Sequence, residues 1–246
     1  MEKRSGYSLI QIGLWVRYLQ RAETLTLKDV RLGVNTILSK FGEFELDVSK
    51  SGSMQLKTFI DNLSSIDDDE TLGNDRAKEL TGLMRTLESI ISAEAAIKHY
   101  YVTTDKRYNT NYLMDQPEKL FKDGVFKRLP QLSQYDFVEG FKCITFEIPT
   151  AAAFHILRAT EGVLKDCYFS NVKRNRVKRP MWGNMLKQLQ ERKKNRLPDA
   201  LLRCLDNIRE SYRNPTNHPE AVYNIDEAED LLGLCIDVTN KMDNHR

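Results

Sequence analysis

Apolar residues recur every three or four positions along most of the chain, a spacing that places them on one face of an α-helix. In the first part of the chain this pattern covers residues 10–19 and 30–41. An acidic run at 67–70 precedes a further pattern at 80–91, and acidic side chains favour a helix N-terminus because of the helix dipole. We therefore predict a long helix from about Thr71 to about Lys98, preceded by shorter helices.

The helical pattern becomes clearer after about Pro130. Pro149 is expected to end one helix, and Thr150 is a good cap for the next. Asn224 with Glu227 three residues later is typical of a capping box and predicts the start of the last helix. The helices predicted in this part of the chain cover residues 135–146, 151–169, 182–190, 198–213 and the stretch that follows Asn224.

These patterns predict an all-α fold in two parts. Four or five helices joined by mostly short loops in residues 131–246 are typical of a helical bundle. Residues 1–130 form a further N-terminal helical region, for which the sequence indicates no role. Within it, residues 99–104 are rich in β-branched and aromatic side chains, which favours a short hairpin or an irregular connector near 99–112.

The composition is that of a folded protein with a nearly balanced charge. Apolar residues make up 41% of the chain and charged residues 29%, and the formal net charge is +2. The four cysteines have no CxxC spacing and no histidine at ligand distance along the chain, so we expect reduced, buried thiols, no metal and no cofactor. No apolar stretch is typical of a membrane span or a signal peptide, so we expect a cytoplasmic protein without a membrane partner.

Residues 210–220 hold the side chains best suited to chemistry. Arg213 and His218 are separated by four residues, at the junction between the last two predicted helices. A residue before proline avoids the helical conformation, so the chain is expected to break at Asn214-Pro215. The turn could then fold back and direct both side chains at one phosphate. Further hydrogen-bond donors in this turn are Asn214, Thr216 and Asn217.

This pair of residue types fits the cleavage of RNA. RNA carries its own nucleophile, the 2′-hydroxyl, so its cleavage needs no metal in principle. A histidine can take or give a proton near neutral pH. An arginine remains positively charged and can offset the negative charge that builds on the phosphate in the transition state.

The residues Arg213-Asn214-x-x-x-His218 match the R-N-x-x-x-H form of a known motif. Upstream, residues 150–161 carry an apolar run that leads into Arg158-x-x-Glu161. Smaller features of the same kind are Tyr135-Asp136, Lys142-Cys143 and Pro215-x-x-His218-Pro219. Over about residues 130–246 the chain therefore resembles HEPN domains.

The resemblance implies a HEPN-like helical bundle with metal-independent endoribonuclease activity. Such domains usually form dimers that bring two motifs together across the interface. By this resemblance Arg213 binds the phosphate, His218 acts as acid–base or activates the 2′-hydroxyl, and Asn214 assists. The resemblance implies three kinds of partner: RNA, a second copy of the chain, and an antitoxin or regulatory protein of a toxin or defence system.

Glu161 falls on the apolar stripe of its predicted helix, together with Phe154, Leu157, Leu164 and Tyr168. A carboxylate in such a position is costly unless it is paired. One interpretation is a local ion pair with Arg158, three residues earlier. The other is that Glu161 orients Arg213 or Arg209 from the neighbouring helix, and so supports the site.

Residues 172–196 contain ten lysines and arginines and only one acid, Glu191. The run could be a solvated connector, or it could guide RNA towards the site by its charge. Its densest part consists of Lys173, Arg174, Arg176, Lys178 and Arg179.

Three functions are compatible with the sequence. The first is a HEPN-type endoribonuclease that acts as a toxin or defence effector. The second is a HEPN module that binds RNA or regulates without cutting it, because many members of the family lack activity. The third is a helical scaffold whose N-terminal helices bind a partner protein.

Overall fold

The computed structural model describes residues 5–99, 102–174, 176–193, 196–216, 218 and 220–246. It is 72% helical and has no strand in this described part, which confirms the all-α prediction. The chain forms two compact units, Met1–Tyr101 and Val102–Arg246. Each unit has its own hydrophobic core.

The N-terminal unit is built on the apolar stripes of two long helices and three shorter ones. Its core is formed by fully buried side chains that include Leu19, Val34, Ile37, Phe41, Leu80 and Met84. A 3₁₀ turn at Ala22–Thr24 follows the first helix. The helices are α1 (Gly6–Leu19), α2 (Leu27–Glu43), α3 (Asp47–Gly52), α4 (Met54–Asn62) and α5 (Asn74–Ile97).

A buried carboxylate from α5 closes the start of α3. Leu46, the residue before α3, offers no side-chain cap. Instead the Glu94 carboxylate accepts hydrogen bonds from the backbone N–H of Val48 at 3.0 Å, the backbone N–H of Ser49 at 2.7 Å and the Ser49 hydroxyl at 2.6 Å. Burial would raise the pKa of Glu94, but these hydrogen bonds outweigh it and the pKa is lowered.

The C-terminal unit is organised around one long helix, α9, which packs mainly against α8 and α13. Its 23 residues give it a length of about 34 Å. A 3₁₀ turn covers Pro117–Leu120, and a π-helical turn covers Arg209–Arg213. The α-helices are α6 (Thr110–Met114), α7 (Val125–Arg128), α8 (Gln131–Thr145), α9 (Pro149–Asn171), α10 (Trp182–Gln190), α11 (Asp199–Ile208), α12 (Asn214–Thr216) and α13 (Ile225–Asp243).

The C-terminal unit begins about thirty residues earlier than the boundary near 130 that the sequence predicts. The Phe121 ring packs against Phe137 and Phe141, with centroid separations of 5.1 and 6.3 Å. Leu113 is completely buried in the same core, and Arg128 forms an ion pair with Asp243 on α13 at 2.6 Å. Residues 102–130 thus belong to the C-terminal unit because their apolar side chains complete its core.

Local sequence signals give mixed results. Asn224 and Glu227 form the predicted capping box at the start of α13. Pro149 does not end a helix but occupies the first turn of α9, where its missing N–H costs nothing. Of the two alternatives near 99–112, a hairpin or an irregular connector, the structure has the connector: the described residues of this segment contain no strand, and α6 begins at Thr110. Tyr100 and Tyr101, which also fall in that prediction, lie outside the described residues.

Candidate active site

A π-helical turn precedes the predicted Arg-His motif. The backbone N–H of Asn214 donates to the carbonyl of Arg209, five residues back, so the helix is widened at Arg209–Arg213. Pro215 explains this turn, because proline has no N–H for the carbonyl of Ser211 and its ring crowds that carbonyl in a regular α-helix. Single π-helical turns are rare and occur frequently at functional sites.

The carbonyl of Tyr212 is satisfied by side chains. It accepts hydrogen bonds from the Thr216 hydroxyl at 2.6 Å and from the Tyr223 hydroxyl at 3.1 Å. The Tyr212 and Tyr223 rings are stacked, with centroids 6.2 Å apart. Thr216 and Tyr223 thus fold back onto the carbonyl of Tyr212. The predicted break at Asn214-Pro215 is wrong, because Asn214 keeps helical dihedral angles (φ −66°, ψ −49°) and helical residues continue to Thr216. The wider π-helical turn accommodates the proline without ending the helix.

Two residues, Arg213 before the His218 segment and Tyr223 after it, are attached to α9. At one end, Arg213 donates from Nε and Nη2 to one carboxylate oxygen of Glu161, each at 3.3 Å. At the other end, the backbone N–H of Tyr223 donates to the Thr150 hydroxyl at 3.2 Å. Arg213 is thus attached to the middle of α9 and Tyr223 to its N-terminal turn. Thr150 holds this turn, although the sequence indicates it only as a helix cap.

Of the two interpretations of Glu161, the structure supports the contact with Arg213. Arg158 instead binds Asp136 of α8, donating from Nε at 2.7 Å and from Nη2 to the other carboxylate oxygen. Arg209 is also occupied elsewhere, because it pairs with Asp206 and Glu210. Glu161 is only partly buried and therefore lies at the edge of the apolar stripe.

Asp136 of α8 is the centre of a second polar cluster, which reaches α9 through Arg158. It is 1% exposed and also lies 3.1 Å from Nδ1 of His155. Because an ionised carboxylate only accepts hydrogen bonds, this contact places a proton on Nδ1. The hydrogen bond from Arg158 to Asp136 raises the pKa of Arg158. The sequence singles out Asp136 only as part of a motif and gives no sign of this cluster, because its members lie on two helices.

His218 lies in the turn with its side chain exposed. Its backbone N–H donates to the carbonyl of Pro215 at 2.8 Å, and its carbonyl accepts from Ala221 at 3.1 Å. Asn214 is also exposed, at the end of the π-helical turn. Asn217, a predicted hydrogen-bond donor, and Pro219 lie outside the described residues.

The five predicted RNA-binding residues in the basic segment after α9 are all exposed: Lys173, Arg174, Arg176, Lys178 and Arg179. Arg176 has a structural role as well. It donates to the carbonyls of Val172 at 2.7 Å and Phe169 at 3.2 Å, and its guanidinium lies 4.7 Å from the Phe169 ring centre. A cation at this position satisfies the last carbonyls of α9.

Phe154 differs from the sequence-based prediction. It was expected on the buried stripe of α9 with Leu157, Leu164 and Tyr168, but its side chain is 50% exposed, while those three residues are buried. Phe154 and Glu161 are seven residues, or about two helical turns, apart, and therefore lie on the same face of α9. The outer face of α9 therefore carries an aromatic ring that the core does not use.

Of the four free cysteines, Cys167 and Cys235 are buried as predicted, whereas Cys143 and Cys204 are only partly buried. Burial raises the pKa of Cys167 to about 11 and that of Cys235 to about 12. The described residues contain no cluster of His, Cys, Asp and Glu that could hold a metal ion. No helix among them is long and apolar enough to cross a membrane.

No protein-family model, curated protein or solved structure matches this chain.

Proposed function

We propose that the C-terminal unit is a HEPN-type endoribonuclease that cleaves RNA by attack of the 2′-hydroxyl, and that it acts as a toxin or defence effector. The observation that carries the proposal is the contact between Arg213 and Glu161. A guanidinium fixed by a carboxylate beside a histidine-bearing turn is suited to hold a phosphodiester. The π-helical turn at Arg209–Arg213 and the hydrogen bond from Tyr223 to Thr150 fix the two ends of the segment that bears His218.

The chemistry assigns one role to each side chain. The 2′-oxygen forms a bond to phosphorus while the bond from phosphorus to the 5′-oxygen breaks. The 2′-hydroxyl loses its proton and the departing 5′-oxygen gains one, and His218 serves one of these transfers. Arg213 stabilises the charge on the phosphoryl oxygens. The products are a 2′,3′-cyclic phosphate and a 5′-hydroxyl, and no metal takes part.

A second copy of the chain is part of the proposal. The resemblance to HEPN domains implies a dimer in which two motifs face one cleft. In that arrangement the second His218 can serve the proton transfer that the first does not. An antitoxin or regulatory protein would act by covering this cleft.

The test is cleavage of a labelled single-stranded RNA by the purified full chain in the presence of EDTA. We expect products with cyclic phosphate ends, identified by mass spectrometry. His218→Ala should reduce the rate by about 10²–10⁴-fold, the usual contribution of acid–base catalysis. His99→Ala, which removes an exposed histidine from the N-terminal unit, is the matched control and should cut at the wild-type rate.

Three outcomes would contradict the proposal. One is wild-type cleavage by His218→Ala, which would exclude His218 from the reaction. Another is binding of RNA without any cleavage by the wild-type chain. That result would favour the alternative of a non-catalytic RNA-binding module. The third is the absence of both binding and cleavage, which would favour a protein-interaction scaffold.

A further inference from the structure

The outer face of α9 carries a row of exposed side chains of alternating chemistry. Phe154, Arg158 and Lys165 are all exposed, and Glu161 lies among them, bound to Arg213. The spacing of four, three and four residues places these positions on one face of the helix. We call Phe154, Arg158 and Lys165 the α9 strip.

Two neighbours border the α9 strip. On one side is α8, whose Asp136 holds Arg158 and whose Tyr135 is 55% exposed. On the other side is the turn at residues 213–223, attached to α9 at Glu161 and Thr150. The strip is therefore the surface of α9 that remains between α8 and the turn that bears Arg213 and His218.

The charges of the strip favour a polyanion. Arg158 keeps 46% of its side chain exposed, and the bidentate contact with buried Asp136 fixes its orientation. Lys165 adds a second cation one turn beyond Glu161. The carboxylate of Glu161 is engaged by Arg213. Both exposed charged groups of the strip are thus cations, and the two carboxylates beside them, Glu161 and Asp136, are each bound to an arginine.

The aromatic ring narrows the class of polyanion. Exposed aromatic rings next to cations are the usual way in which proteins bind single-stranded nucleic acids, because each unpaired base can stack on a ring. In a duplex the bases are already stacked and cannot use such a ring. A partner helix, by contrast, binds to a continuous apolar stripe. The α9 strip is not continuous in this sense, because Arg158 and Lys165 are charged.

We propose that the α9 strip binds single-stranded RNA and that Phe154 stacks against an unpaired base close to the scissile phosphate. The rise of an α-helix places Phe154 about 10 Å along α9 from Glu161, with Arg158 between them. A strand that crosses the strip therefore meets a base-stacking ring, then the phosphate contact at Arg158, then Arg213. Beyond Lys165 the same helix leads to the basic segment that begins at Lys173. This inference rests on the proposed function, since it names the substrate of that site.

The experiment measures binding of the full chain to two fluorescent probes. One is a short 2′-O-methyl oligouridylate, which lacks the nucleophile and cannot be cleaved; the other has the same backbone without bases. The wild-type chain should bind the base-bearing probe more tightly. Phe154→Ala should weaken that binding about five- to hundredfold, the worth of one stacked base, and leave the abasic probe unaffected. Phe154→Trp should retain the preference.

Lys165→Gln tests a second phosphate contact, made by the cation that lies beyond Glu161 on the strip. It should weaken the binding of both probes equally. It should also make the slope of log affinity against log salt concentration shallower by about 0.7, the value for one phosphate contact on a single strand. Tyr7→Ala and Lys57→Gln remove an exposed aromatic ring and an exposed cation from the N-terminal unit, and neither should change binding. Thermal unfolding of each variant checks that the fold is retained.

The inference is overturned if Phe154→Ala binds the base-bearing probe like the wild type, or weakens both probes equally. It is also overturned if Phe154→Ala changes only the sedimentation of the protein, because the strip would then be covered by a second copy. Failure of the nuclease proposal can be distinguished from failure of the stacking proposal. A chain that binds the probe through Phe154 but never cuts RNA refutes cleavage alone, and a chain that cuts RNA equally well without Phe154 refutes the stacking role alone.

Discussion

The carboxylate of Glu161 on α9 accepts two hydrogen bonds of 3.3 Å from the guanidinium of Arg213, which lies at the end of the π-helical turn. Both side chains are about one quarter exposed, so the pair lies at the surface and can be reached by a ligand. Glu161 therefore has two effects on Arg213, the side chain that the proposed reaction needs: it offsets the positive charge and it fixes the orientation of the guanidinium.

Replacing Glu161 with glutamine separates these two effects. Removal of the negative charge should leave RNA binding unchanged or tighter, whereas loss of the charged hydrogen bonds should let Arg213 leave its position. We expect kcat to fall about tenfold, equivalent to about 1.4 kcal/mol. Single-turnover cleavage and binding of an uncleavable RNA give the two quantities.

Glu118→Gln, which changes an exposed glutamate elsewhere in the same unit, is the control for that substitution and should leave kcat unchanged. Equal losses of binding and cleavage by Glu161→Gln would mean that the carboxylate only maintains the fold. An unchanged kcat would mean that Arg213 needs no help from Glu161.

Pro215 should set the register of the helix that carries Arg213. In Pro215→Ala the restored N–H can bond to the carbonyl of Ser211, which favours a regular α-helix and removes the π-helical turn. Arg213 would then rotate away from Glu161. We expect cleavage to fall at least about tenfold while the melting temperature does not fall, since proline is the poorest residue in a helix interior, by about 3 kcal/mol.

Pro198→Ala is the matched control for this prediction, because Pro198 lies just before α11, where proline is tolerated. It should change neither cleavage nor the melting temperature appreciably. A Pro215→Ala variant that is markedly less stable than the wild type would show that proline stabilises this turn rather than straining it.

The sequence predicts what local patterns determine. The limits of α10 and the capping box at Asn224 follow from helical periodicity and from the chemistry of one turn. The helix break expected at Asn214-Pro215 is not observed, because the chain remains helical as far as Thr216. The contact between Glu161 and Arg213 was one of two interpretations, because residues three apart on a helix and residues on adjacent helices are both possible partners.

The features that the sequence missed depend on tertiary packing. Helical periodicity places Phe154 on the stripe of Leu157, but the edge of a stripe is buried only if another helix covers it, and here it remains exposed. Arg158 finds Asp136 on α8 rather than Glu161 on its own helix. The boundary at 101–102 depends on where Phe121 is buried, and no local signal marks that.

Acid stability of the N-terminal unit should depend on Glu94. Its folded-state pKa is lowered from the ordinary value of 4.5, so the carboxylate contributes stability that is present above that value and is lost as the pH falls through the folded-state pKa. Glu94→Gln should cost on the order of 2 kcal/mol at neutral pH, because hydrogen bonds to a charged acceptor are stronger than those to a neutral one. Below the folded-state pKa of Glu94 the difference between variant and wild type should shrink.

Urea unfolding of both chains from neutral to acidic pH, followed by circular dichroism, measures this difference. Glu79→Gln, on an exposed position of the same helix, is the control and should match the wild type at neutral pH. If the stability difference between Glu94→Gln and the wild type stays constant down to strongly acidic pH, then the hydrogen bonds at the start of α3 do not depend on ionised Glu94. If it vanishes as the carboxylate is protonated, the charge of Glu94 stabilises the first turn of α3.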